Sequence, residues 1–260
     1  MFKKIVWPLV LLSSLALLFV FVTGFIASVN ISKAPEETTK KPLLSSTSSQ
    51  EEIETAQDSS EIVILGDSIG FGIGDEENLG IEKRYAELIN KEDETKKEIT
   101  NISVPGFESS DLVNLIKTGE NTKVLSKATL IILSIGGNDL NRLEYEDDLT
   151  LTLAYEETLK KYQENLVFIV NEIRSVNPDA QLAFIGLYNP YSKDEPEIAK
   201  FLLEWNYQTR LIVNRDAKFA YIPTYELFEY HLDDYLSQDD FHPNGAGYQV
   251  IVEELDKIIN

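Results

Sequence analysis

From residue 61 onward, short apolar runs alternate with stretches of helical spacing. The apolar runs are Ile62–Leu65, Glu98–Ser103 (the weakest), Thr129–Ile135, Gln181–Leu187 and Phe219–Ile222. Runs of four to eight residues bounded by turn signals read as buried strands. Between them, apolar residues recur every three or four positions. Tyr85–Ile89 is the first such stretch, followed by Leu112, Leu115 and Ile116 behind a Ser109 or Ser110 cap. The longest carries Tyr155, Leu159, Tyr162, Leu166, Ile169, Ile173 and Val176, and Asn177-Pro178 stops it. A further helix carries Phe201, Leu202, Trp205, Ile212 and Val213, and a last one runs from about Asn244 to Ile259. Strands alternating with helices predict a parallel sheet covered on both faces. The expected fold is α/β, a doubly wound, flavodoxin-like three-layer sandwich with five parallel strands ordered 2-1-3-4-5.

The pattern upstream is different. After Lys3-Lys4, residues Ile5–Val29 carry no charge, a run long enough to cross a bilayer. A secretory signal has a shorter apolar core and a small-x-small cleavage site, and Ala27-Ser28-Val29 is a poor one. Residues 1–30 are therefore expected to be an uncleaved transmembrane signal-anchor. The short basic start places the rest outside the cell. Residues 31–60 are rich in Ser, Thr, Glu, Lys and Pro and predict a disordered linker. The globular domain is then 61–260.

Composition narrows the chemistry. The formal net charge is −21, which opposes contact with nucleic-acid phosphates. The absence of Cys excludes disulfides, thiol catalysis and thiolate metal sites. His231 and His242 are the two histidines, too few and too far apart for a metal site. The acidic run Glu144–Asp148 lacks the alternating ligand spacing of a calcium loop and reads as a solvated loop.

The strand ends carry the reactive residue types. The first strand stops at Gly66-Asp67-Ser68-Ile69, the second at Pro105-Gly106, the third at Gly136-Gly137-Asn138-Asp139. Asp239-Asp240-Phe241-His242-Pro243-Asn244 lies near the C-terminus. In a doubly wound sheet these segments converge on one edge, where ligands bind. They bring a hydroxyl, an imidazole, a choice of carboxylates, a glycine amide and a carboxamide.

This set resembles the SGNH hydrolases, the GDSL esterase/lipase family, named for Ser, Gly, Asn and His in four separate blocks. The matching residues are Ser68 in Gly-Asp-Ser-Ile, Gly106, Asn138 in Gly-Gly-Asn-Asp, and His242; Ile69 stands where the family name has Leu. The family's Asp-x-x-His block matches Asp239 and His242, which favours Asp239 over Asp240. The likeness spans about 61–260 and is strongest to membrane-anchored or secreted lysophospholipase-like bacterial proteins. It implies Ser68 as nucleophile, His242 as base and Asp239 as its orienting carboxylate, because a free hydroxyl needs an adjacent base. The amides of Ser68 and Gly106 and the Asn138 side chain would form the oxyanion hole. Asp67 is expected to hold the loop, Gly70–Gly74 to form a mobile rim of the site, and His231 to be a surface or packing residue.

The expected function is therefore a serine ester hydrolase that forms an acyl-enzyme on Ser68 and needs no cofactor or metal. Its substrates would be lipid acyl esters or O-acetyl groups on cell-surface glycans. A catalytically silent surface-displayed binding module and an acyltransferase are the alternatives. Tyr145, Tyr188, Tyr191, Phe71 and Phe107 are placed near the expected site. The N-terminal helix would tie the enzyme to the membrane, with no nucleic-acid partner.

Overall fold

The computed structural model describes residues 61–90, 97–144, 146–191 and 196–260. The expected anchor over 1–30 and linker over 31–60 lie outside them. No helix among the described residues is long and apolar enough to cross a membrane.

Five strands form one parallel sheet: β1 (Glu61–Gly66), β2 (Glu98–Asn101), β3 (Ala128–Ser134), β4 (Gln181–Ile185) and β5 (Phe219–Ile222), in the order β2-β1-β3-β4-β5. This is the order expected from the sequence. The helices are α1 (Ser68–Phe71), α2 (Gly80–Ile89), α3 (Ser109–Lys117), α4 (Thr122–Lys127), α5 (Gly137–Asn141), α6 (Asp148–Val176), α7 (Pro196–Val213), α8 (Thr224–Phe228), α9 (Leu232–Tyr235) and α10 (Gly245–Ile259).

The central strands are apolar on both sides because both sides are covered. Val63, Leu65, Ile131, Leu133, Leu182 and Phe184 point to one face, where α3, α6 and α7 supply Leu112, Leu166, Ile169 and Trp205. Ile62, Ile64, Leu130, Ile132, Ala183 and Ile185 point to the other, against Ile81 and Tyr85 of α2 and Tyr248, Ile251 and Leu255 of α10. Each fully buried aliphatic side chain contributes about 1.5–3 kcal/mol. The carboxyl edge of the sheet is thereby held rigidly, and the loops leaving it carry the candidate residues.

Some boundaries differ from expectation for local reasons. α6 starts at Asp148, because Asp147 accepts from the Thr150 amide and Thr150 answers with a reciprocal bond. Part of the acidic run 144–148 is thus a helix start. α3 is capped by Glu108 paired with Asp111, not by either serine. β2 ends at Asn101, where the Asn101 side chain turns to the Ser103 amide and the Gly70 carbonyl.

The tightest point is the end of β1. Gly66 has φ +145°, and a Cβ there would lie 1.8 Å from the Ser134 carbonyl oxygen of the neighbouring strand. Neither the conformation nor the space admits a side chain. Gly66→Ala should therefore destabilise the protein by about 3–5 kcal/mol, read as a lowered urea midpoint by circular dichroism. A shift worth under about 1 kcal/mol would mean that strand β1 ends differently.

Candidate active site

Gly66 ends β1, and Asp67 begins the turn into α1. The Asp67 amide donates to the Ser134 carbonyl at 2.8 Å. Its side chain accepts from the Ile69 amide at 3.0 Å and from the Ser134 hydroxyl at 2.9 Å. Asp67 thus caps α1 and fastens it to β3. Ser68 follows as the first residue of α1, 9% exposed. Its amide lies among those that a helix start leaves without an intrahelical acceptor.

His242 comes from a tight loop between α9 and α10. The Ser237 amide donates to the His242 carbonyl, and the Asn244 amide to the Tyr235 carbonyl, each at 2.8 Å. Asp239 organises the loop from within. Its Oδ1 accepts from the Ser237 hydroxyl and from the Phe241 and His242 amides at 2.7–3.0 Å. Its Oδ2 lies 2.7 Å from His242 Nδ1. Burial would raise the Asp239 pKa, but the bonds from His242, Ser237 and Phe241 hold the carboxyl well below its usual range. Asp240, the competing carboxylate, takes a left-handed turn at φ +54° and is exposed. His242 Nε2 lies 3.0 Å from Ser68 Oγ, across 174 residues of sequence. Hydroxyl, imidazole and carboxylate are in line. With a carboxylate at Nδ1, the imidazole can accept a proton at Nε2 from the hydroxyl.

The glycine-rich segment after Ser68 is not a loose rim. Gly72 ends α1 with φ +98°, and a Cβ at Gly74 would meet His242 Cβ at 2.7 Å. The Tyr248 hydroxyl donates to the Ile73 carbonyl at 2.7 Å. The segment packs against the histidine loop and fixes its height above Ser68.

Gly106 and Asn138 approach from the other side. Val104–Phe107 form a turn closed by the Phe107 amide on the Val104 carbonyl at 3.2 Å, with Gly106 at φ +84° behind Pro105. The Val104 amide donates to the Gly66 carbonyl at 2.9 Å, tying this turn to the end of β1. Asn138 Nδ2 donates to the Phe107 carbonyl at 2.8 Å, and Asn138 lines one cavity with Ser68. A carboxamide carries two N–H donors, so one remains beyond that bond.

Sequence reasoning missed the braces behind this side. The Ser109 amide and hydroxyl both donate to the Asp139 carboxylate, and Asn165 donates to Ser109 Oγ at 2.9 Å. Arg142 pairs with Glu108 and donates to the Gly106 carbonyl at 3.1 Å. Burial raises the Asp139 pKa even against the Ser109 bonds. His231 is half exposed and stands beside Tyr235 and Asp234, away from these groups. Among the described residues, no three or more His, Asp or Glu side chains are grouped to hold a metal ion.

Comparison with known proteins agrees with this picture. The GDSL-like Lipase/Acylhydrolase family model matches residues 64–250. The uncharacterized protein YpmR of Bacillus subtilis (strain 168) is 30% identical over 201 residues, 75% of this chain and 79% of YpmR. The spore germination lipase LipC of Bacillus licheniformis is 24% identical over 199 residues, 74% of this chain and 92% of LipC. The solved lipase Lip_vut3 from a goat rumen metagenome shares the fold at TM-score 0.66 and 24% identity, over 76% of this chain and 96% of its own.

Asp67 gives this region a pH signature. Burial, partly offset by Ser134 and backbone donors, raises its pKa from 3.8 to about 7. The folded state therefore binds a proton that the unfolded state has released. The contribution is complete below the unfolded value and is lost as pH rises towards the folded one. Asp67→Asn removes this titration and leaves that of Asp239 common to both proteins. The melting temperature of Asp67→Asn minus that of wild type should rise between pH ~4 and ~7 and then level off. A difference independent of pH would contradict the burial argument.

Proposed function

The chain belongs to the GDSL-like lipase/acylhydrolase family and is an ester-hydrolysing enzyme; from that premise we propose that it is a serine hydrolase working through an acyl-enzyme on Ser68. The observation that carries the proposal is the continuous line from Ser68 Oγ to His242 Nε2 at 3.0 Å and from His242 Nδ1 to Asp239 Oδ2 at 2.7 Å.

Ser68 Oγ attacks the ester carbonyl carbon while His242 Nε2 takes its proton. Asp239 keeps Nδ1 protonated, leaving Nε2 as the base, and stabilises the imidazolium. The oxyanion receives the Ser68 and Gly106 amides and the free N–H of Asn138. One such donor is worth roughly 10²–10³ in turnover. The carbon–oxygen bond to the alcohol then breaks as His242 returns the proton to the departing oxygen. Water, deprotonated by the same nitrogen, attacks the acyl-serine and releases the carboxylic acid, restoring Ser68.

LipC is named a spore germination lipase, and a lipid ester is the substrate class that this likeness suggests. A signal-anchor over 1–30 and a linker over 31–60 would hold the hydrolase on the outer face of the cell membrane, within reach of lipids and wall glycans.

A fluorophosphonate probe should label the wild-type protein and fail to label Ser68→Ala. His242→Ala should lower kcat by about 10⁴-fold or more. A folded wild-type protein that takes no label and cleaves no short nitrophenyl ester would overturn the serine-hydrolase reading.

A further inference from the structure

Helix α5 grips the Gly106 turn residue by residue. Arg142, its C-cap, donates from Nη2 to the Gly106 carbonyl at 3.1 Å. Asn138, one turn earlier, donates to the Phe107 carbonyl at 2.8 Å. Arg142 Nη1 pairs with Glu108 Oε1 at 2.6 Å, and the Asp139 carboxylate accepts from the Ser109 amide at 2.8 Å. Gly106, Phe107, Glu108 and Ser109 are thus each tied to one short helix or its cap. Asn138 and Arg142 stand four residues apart, so they share a face of that helix.

These directional bonds matter because packing holds the turn only loosely. Val104 and Pro105 are exposed, and Gly106 has no side chain to bury. Beyond its chain neighbours, Arg142 Nη2 is the one heavy atom among the described residues within 4 Å of where a Cβ on Gly106 would lie, at 3.7 Å. The guanidinium therefore covers the open side of the glycine. The Val104 amide on the Gly66 carbonyl fixes the entry to the turn, and the Glu108–Asp111 capping box fixes its exit into α3. Between those points, Arg142 is the group that holds the Gly106 carbonyl. Among the described residues the Gly106 amide has no protein acceptor, which leaves it to a ligand. A segment with few buried contacts opens readily, and a donor on it keeps its aim only through the bonds that support it.

Resting on the reading of Gly106 and Asn138 as oxyanion donors, we propose that Arg142 is a positioning residue for ester hydrolysis. It locks the Gly106 turn to α5, the helix that carries Asn138, so the two donors are held at one fixed spacing. Arg142 acts through these donors and needs no contact with the substrate. Its planar fork reaches the carbonyl and the carboxylate together, which the point charge of a lysine does not reproduce. Formation and breakdown of the acyl-enzyme both pass through an oxyanion, so loss of the lock slows both.

The test compares wild type, Arg142→Ala and Arg142→Lys on the full chain with a short nitrophenyl ester. Arg142→Ala should lower kcat by about 10–100-fold and leave KM within about threefold. Inhibition by an alkyl trifluoromethyl ketone, which forms a tetrahedral adduct on serine, should weaken by the factor that kcat/KM loses. Arg142→Lys should fall between wild type and Arg142→Ala. The Arg142 side chain is 57% exposed, so the melting temperature should stay within about 5 °C of wild type. If Arg142→Ala does not fold, Arg142→Lys decides. An unchanged kcat, a rise in KM alone, or a loss of kcat in step with a melting temperature lowered by more than about 5 °C overturns the positioning role while the serine-hydrolase reading stands. Folded wild type that neither takes the fluorophosphonate label nor cleaves the ester overturns both.

Discussion

The contact between the ends of β1 and β3 is the constraint from which the rest of the site follows. Gly66 lies so close to the Ser134 carbonyl that only glycine fits. That closeness lets the Asp67 amide reach the same carbonyl and lets the Ser134 hydroxyl reach the Asp67 carboxylate. Two strands that are not adjacent in sequence are thus clasped at the point where the chain leaves the sheet. Ser68 is the next residue, so its position is set by the clasp rather than by its own contacts. The turn at Gly106 is fastened to the same place through the Val104 amide on the Gly66 carbonyl. Ser68 and its neighbours therefore inherit the rigidity of a sheet buried on both faces.

The histidine side is built independently and brought in by packing. Asp239 spends one carboxylate oxygen on its own loop and the other on the imidazole, so the residue that orients His242 also makes the loop that carries it. The loop is seated against Gly74, where a side chain would displace His242. The charge arrangement suits the chemistry. Asp239, in a shell of donors, stays ionised beside the imidazole that the proposed mechanism charges. Asp67, buried behind Ser68, has its pKa pushed up to about 7, which limits buried negative charge near a developing oxyanion.

Much of this was legible in the sequence because the features were local. Apolar runs bounded by turn residues located every strand, and alternation with helices gave the 2-1-3-4-5 order that the structure has. The four family blocks put Ser68, Gly106, Asn138, Asp239 and His242 at strand ends and loops that the fold gathers. What was not legible depends on contacts distant in sequence. Ser109 looks like a helix cap, yet its hydroxyl is drawn to Asp139 thirty residues away, and Glu108 takes the cap. Gly70–Gly74 has the composition of a mobile loop, but Gly70 packs against Ser103, Gly72 against Gly80 and Gly74 against His242. The start of α6 hides in an acidic run, because an Asp-x-x-Thr cap is a weak signal among many carboxylates. The cavity at Ser68 is lined by segments scattered from Asp67 to Phe241 and has no linear signature.

The claim at the centre is a covalent acyl group on Ser68 during turnover. The direct measurement is to quench the enzyme with acid while it is hydrolysing an octanoyl ester, digest it, and map the peptides by mass. The account predicts an octanoyl adduct on the peptide containing Ser68, absent when ester is withheld. Steady hydrolysis with no adduct, or with the adduct on another residue, would contradict it.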